Sequence, residues 1–285
     1  MLKILISIVI SICIIFSFSL LTACEGTATE EVPQVEEATD VEIEVDETEV
    51  LEEEIQEEST EDEIIEEAEE EVIEEEVEEE TFLKEGEVTF MTEDNIELNG
   101  NIFGSGNKWV ILSHMYPTDQ TSWFEFAEVL KEDGYIVLTY DFRGYGKSGG
   151  SQDVSKVDVD LRAALEYIKQ YNPELIYLMG ASMGGTASLV VAAEETIDGV
   201  ISFSSPDEFE GVSAINVVGD IIAAKLFIAS QGDEAAAQSA TEMYDKSMEP
   251  KQLEILDGDS HGTFIFEEEP ENAGKVKEIV LFFLY

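Results

Sequence analysis

The chain has 285 residues, 66 acidic against 14 basic, and a formal net charge of −52. Acidity on this scale argues against nucleic acid and anionic lipid as partners, because each would meet like charge. Both cysteines, Cys13 and Cys24, lie near the N-terminus, so the rest of the chain has no disulfide and no thiolate metal site.

Three unlike pieces follow one another. Residues 1–23 carry one charge, Lys3, then an apolar run from Ile4 to Leu21 and the small residues Thr22-Ala23 before Cys24. A charged start, an apolar middle and small residues before a cut make a secretory leader. The run is also near the length of a membrane span, which makes an uncleaved anchor the rival reading. Leu21-Thr22-Ala23-Cys24 resembles the lipobox of a bacterial lipoprotein signal peptide. That resemblance implies cleavage before Cys24 and acylation of its thiol and new N-terminus, palmitate included. The mature protein would then be held by lipid on the extracytoplasmic face of a bacterial cell membrane. Two acyl chains anchor stably where one binds marginally. Residues 24–80 follow, with 30 Asp and Glu and no Lys or Arg. Such a block repels itself and buries too little apolar surface to fold alone, so it is expected to be a solvated spacer. Ile65, Ala68, Val72, Ile73 and Val77 recur near helical spacing, which leaves a partly helical spacer open.

Residues 81–285 hold the other 36 acids against 13 bases, a net charge near −23, in a length that supports one sizeable core. Two strands near 87–91 and 96–102 have the look of an antiparallel hairpin at a sheet edge. From there strands and helices alternate. Apolar strands are expected at 109–113, 135–140, 175–179, 199–203, 226–229 and 252–256. Helices are expected at 123–132, 157–170, 184–195, 234–247 and 273–283. Asp133-Gly134 and Asn172-Pro173 supply helix stops. This alternation predicts an α/β domain with a mostly parallel sheet covered on both faces.

The stretch Gly180-Ala181-Ser182-Met183-Gly184 is a G-x-S-x-G pattern placed where the strand at 175–179 should turn into a helix. A serine on such a sharp turn stands clear of the sheet, and glycines two residues to either side leave room for the turn to close. The N–H of Met183 then lies at a helix N-terminus, where partial positive charge favours an oxyanion. Two histidines and no available cysteine leave only carboxylates as metal ligands, none at EF-hand spacing, and no Gly-rich dinucleotide loop follows a first strand. No metal and no cofactor are therefore expected.

Several blocks in order carry a family resemblance: Leu112-Ser113-His114-Met115-Tyr116-Pro117, Asp141-Phe142-Arg143-Gly144-Tyr145-Gly146-Lys147-Ser148, the serine turn, Ala229-Ser230-Gln231-Gly232-Asp233, and Asp257-Gly258-Asp259-Ser260-His261-Gly262. From about residue 86 onward the chain resembles the α/β-hydrolase superfamily, in the capless form of dienelactone-hydrolase-like proteins and small esterases. The short stretch between the strand at 199–203 and the next has little room for a cap, so an open, shallow site is expected. The resemblance implies a chain order of nucleophile, acid, histidine. Ser182 is then the nucleophile and His261 the general base. Asp233 is the orienting acid, with Asp207 as the rival. Asp257 and Asp259 are expected to shape the loop of His261. Met183 supplies one oxyanion donor. The other comes from a loop where the family usually reads His-Gly-x; here Met115 replaces the glycine, and Tyr116 is the donor by position. His114 is expected to fix that loop, and Asp141 with Arg143 to form a structural corner. The implied activity is hydrolysis of a small acyl substrate, most readily a carboxylic ester (EC 3.1.1), through an acyl-enzyme on Ser182. A peptidase or amidase of the same fold is the close alternative, and a non-catalytic surface binding protein the distant one.

Overall fold

The computed structural model describes residues 83–285. The leader 1–23, Cys24 and the whole acidic block to residue 80 lie outside the described residues. Ten strands and six helices follow one another. They are β1 (Gly86–Met91), β2 (Glu97–Phe103), β3 (Lys108–Ser113), α1 (Phe124–Glu132), β4 (Ile136–Tyr140), α2 (Val157–Lys169), β5 (Leu175–Ala181), α3 (Met183–Ala192), β6 (Gly199–Phe203), β7 (Glu208–Phe209), β8 (Val212–Ser213), β9 (Ala224–Ser230), α4 (Glu234–Lys246), β10 (Lys251–Leu256), α5 (Ile265–Glu268) and α6 (Pro270–Leu284).

Eight strands form one sheet in the order β1-β2-β4-β3-β5-β6-β9-β10. The β1–β2 hairpin is antiparallel, and β2 meets β4 antiparallel. The pairs from β4 to β10 are all parallel. Every residue of β4 and β6 is buried, as expected of apolar strands covered on both faces. Side chains alternate across the sheet. Trp109, Ile111, Leu178 and Phe227 pack on the face that carries α2, α3 and α4. Val110, Leu112, Met179 and Ile228 pack on the face that carries α1 and α6. The hydroxyls of Tyr135 and Tyr177 donate to the carbonyl of Leu284 at 2.8 and 3.2 Å, tying the end of α6 to the sheet. Of the late aromatics, Phe266 and Phe283 pack inward, but Phe282 and Tyr285 are 77% and 100% exposed. The helical period turns Phe282 outward, so these two do not pack the last helix.

The segment between β6 and β9 holds the two-residue strands β7 and β8 and one 3-10 turn, so no sizeable cap stands over the sheet. No helix among the described residues is long and apolar enough to cross a membrane.

Candidate active site

β5 ends at the sharp turn that carries Ser182. Its φ of 49° and ψ of −120° lie in a region that non-glycine residues rarely occupy, at a cost on the order of 1–3 kcal/mol. The Ser182 N–H donates to the carbonyl of Phe203 at 2.8 Å, and the Ser182 carbonyl accepts from the N–H groups of Gly185 and Thr186, each at 3.0 Å. A Cβ on Gly180 would overlap the carbonyl group of Gly184. A Cβ on Gly184 would run into the carbonyl oxygens of Ser113 and His114. The turn closes against β5 and against the loop after β3 only because both positions are glycine. Met183 opens α3, and among the described residues its N–H has no backbone partner.

The loop after β3 is built around His114, which is fully buried. Phe142 N–H donates to His114 Nε2 at 3.0 Å, so Nδ1 carries the proton and donates to the carbonyl of Met115 at 3.0 Å. Burial holds the His114 imidazole below its ordinary pKa, against a smaller pull from the Met115 bond. Both ring nitrogens are thus committed to holding the loop. Met115 is fully buried where the family pattern has glycine, and its sulfur lies against Gly262. At φ 54° Gly262 has no room for a Cβ, which would meet Met115 Sδ at 2.6 Å and Ala181 Cβ at 3.4 Å. These contacts bring the loop of His261 onto the residue before Ser182. Tyr116 comes next, 57% exposed, and among the described residues its N–H has no backbone partner.

Asp233 precedes α4, and His261 follows β10. Their pairing is direct: His261 Nδ1 and Asp233 Oδ2 lie 2.6 Å apart. An Nδ1–H donor there leaves Nε2 as the free basic nitrogen. Asp207, the rival acid, lies within 3.5 Å of the Ser239 hydroxyl, and its carbonyl accepts from Ile215. The loop of His261 has a support that sequence reasoning missed. The Glu269 carboxylate accepts the N–H groups of Asp259 and Ser260, each at 2.9 Å, and the side-chain amide of Asn272. The Asn272 amide, ahead of these backbone donors, pulls the Glu269 pKa from 4.5 to about 2. The Ser260 hydroxyl donates to Glu268 at 2.9 Å, and the Ser230 hydroxyl donates to the Ser260 carbonyl at 2.8 Å. Asp259 enters this loop through its backbone N–H, and Asp257 through a carbonyl that accepts from Asn272.

The corner after β4 differs from expectation in detail. Asp141 and Arg143 do not pair with each other. Asp141 accepts from Gln120 and from Lys147 N–H, while Arg143 forms two-pronged contacts with Asp94 and with the fully buried Asp160. Asp160, in the first turn of α2, therefore pairs with a buried guanidinium.

The sheet order and the layers on both faces are those of the α/β-hydrolase fold. The family model described as serine aminopeptidase, S33, matches residues 105–210. A curated relative, the 2-hydroxy-6-oxononadienedioate/2-hydroxy-6-oxononatrienedioate hydrolase of Escherichia coli strain K12, is 32% identical over 98 residues. That match covers 33% of this chain and 34% of the relative, so the chain spans about a third of the length of the curated relatives it matches. Among solved structures, the Pyrococcus furiosus esterase Pf2001 aligns with a TM-score of 0.61 at 22% identity, covering 71% of this chain and 93% of that one. The enol-lactonase of Burkholderia xenovorans LB400 aligns with a TM-score of 0.57 at 17% identity, over 69% of this chain and 99% of that one.

Proposed function

We propose that this protein is a serine hydrolase that cleaves carboxylic esters through an acyl-enzyme on Ser182. The observation that carries the reading is the His261–Asp233 pair at 2.6 Å, on a loop packed through Gly262 against the strained turn of Ser182. Ser182 Oγ attacks the acyl carbonyl while His261 Nε2 takes its proton. Asp233 orients the imidazole and stabilises its charged form. The N–H groups of Met183 and Tyr116 receive the oxyanion. His261 then returns the proton to the leaving alcohol, and water releases the acyl group by the same steps in reverse. The chemistry takes its acid, base and nucleophile from the protein and calls for no cofactor.

Esterase and lactonase structures sharing the fold support the ester reading. The serine aminopeptidase model over 105–210 supports an amidase or peptidase as the second reading. The dianionic substrate in the curated relatives' name belongs to those proteins. We further propose, from the lipobox, that Cys24 carries the lipid and that the domain works outside the membrane on a small acyl substrate. Without serine labelling the chain would instead be a surface binding module.

The test is 4-nitrophenyl butyrate turnover and fluorophosphonate labelling of the wild type and Ser182→Ala. The expected result is labelling and turnover in the wild type, with turnover reduced at least about 10⁴-fold and labelling abolished in the variant. A wild type that neither turns over esters nor takes the label contradicts the proposal. Metabolic labelling with palmitate should mark the wild type and not Cys24→Ala; an unlabelled wild type would contradict the anchor.

A further inference from the structure

The loop after β3, the turn before α2 and the β7–β8 hairpin enclose an open cavity of about 570 Å³. All three segments leave the same end of the parallel strands as Ser182. The cavity borders the loop proposed to hold the oxyanion through Tyr116, while Ser182, Met183 and His261 do not line it. Its walls are chemically specific. Tyr116 and Phe209 offer aromatic surface, Val154 adds apolar surface, and Asp153 and Glu210 bring carboxylates. No lysine, arginine or histidine lines it.

Neither carboxylate is neutralised. Asp153 uses Oδ1 to accept from the N–H and hydroxyl of Ser155, at 3.2 and 2.7 Å. Glu210 sits at the hairpin tip, exposed, with φ 48°, beside Gly211. Among the described residues neither forms an ion pair. Aromatic surface with nearby carboxylates attracts an ammonium group through ring quadrupole and charge together. The same walls repel a carboxylate.

Resting on the Ser182 hydrolase reading, we infer that this cavity receives a positively charged portion of the substrate, so that the enzyme selects cationic over neutral and anionic acyl compounds. A preference on the order of tenfold in kcat/KM is expected at low salt, shrinking as salt screens the exposed carboxylates.

Three acetate esters of similar size test this in a pH-stat: acetylcholine, its neutral isostere 3,3-dimethylbutyl acetate, and anionic 4-acetoxybutyrate. The expected order is cation, neutral, anion. Asp153→Asn with Glu210→Gln should bring the cation-to-neutral ratio close to one. Asn still caps the turn at position 153, and Glu210→Gln alone, at an exposed site, should lower the ratio part of the way. Hydrolysis of the neutral ester with no cation preference overturns the inference and leaves the hydrolase reading standing. A preference that survives both substitutions overturns it too, because it then comes from the general field of the acidic domain. Failure to hydrolyse any of the three, or 4-nitrophenyl butyrate, with no fluorophosphonate label takes both readings down.

Discussion

Glu269 holds the loop of His261 from outside the His261–Asp233 pair, and removing its carboxylate is a pointed test of how that loop is positioned. Glu269→Ala strips the acceptor from the N–H groups of Asp259 and Ser260 and from the Asn272 amide. Each such bond contributes about 0.5–1.5 kcal/mol net, and partial solvent access puts these toward the low end. A loss of about 1.5 kcal/mol lowers Tm by roughly 3–6 °C for a domain of this size. The effect depends on pH with a definite sign. The folded pKa is depressed from 4.5 to about 2, so the carboxylate's contribution is fully present above about pH 4.5. It fades as pH falls toward 2. The gap between wild-type and variant Tm should therefore be constant from pH 7 to 5 and narrow below 4.5. The imidazole also loses its fixed approach, so kcat should fall about tenfold with KM little changed. Glu269→Gln, which keeps one acceptor oxygen, should recover part of both. Calorimetry across pH and steady-state kinetics at pH 7 measure these quantities. A Tm gap that is independent of pH, or an unchanged kcat, would refute the claim that Glu269 positions His261.

Other substitutions separate the remaining supports. Asp233→Asn should lower kcat about 10⁴-fold while the fold persists, by losing the charge that orients His261; a loss below tenfold in ester kinetics would point to another acid. Gly184→Ala places a methyl group against the Ser113 and His114 carbonyls, and urea unfolding should show a loss of about 1–3 kcal/mol together with loss of fluorophosphonate labelling. Full labelling at wild-type stability would mean the turn has slack. Asp160→Ala leaves the Arg143 guanidinium, 6% exposed, with Asp94 alone and should cost about 3 kcal/mol in the same assay. A change under 1 kcal/mol would show that Asp94 suffices.

Much of the fold was legible because its signals are local. Short apolar runs marked six strands of the main sheet and a hairpin pattern the two at its edge, and the alternation of the six with helices predicted the parallel layers. The Gly180 and Gly184 spacing likewise reads directly as room for a turn. The site was legible in part. Chain order allows Asp207 or Asp233 as the partner of His261, and the structure brings His261 and Asp233 together. What sequence could not offer were partners set by the tertiary path. Arg143 reaches back 49 residues to Asp94 and forward 17 to Asp160, and no local pattern announces either contact. Glu268 and Glu269 were hidden among the acidic residues 267–269, where nothing distinguishes the carboxylates that fold back onto the histidine loop. Met115 stood out as a departure from a pattern, but its contact with Gly262 needed coordinates.

The two-sided capture of His114 has a practical consequence. The described domain contains two histidines, and one has both nitrogens engaged in a sealed interior while the other stands at the open end of the sheet. Nature has in effect supplied a single-probe protein. Imidazole resonances of His114 and His261 should therefore report on a sealed and an open environment. An acylating histidine reagent should likewise report on one ring alone. Ligand binding and loop mutations can then be watched at His261 without labels or engineered reporters, against an internal reference that the fold itself provides.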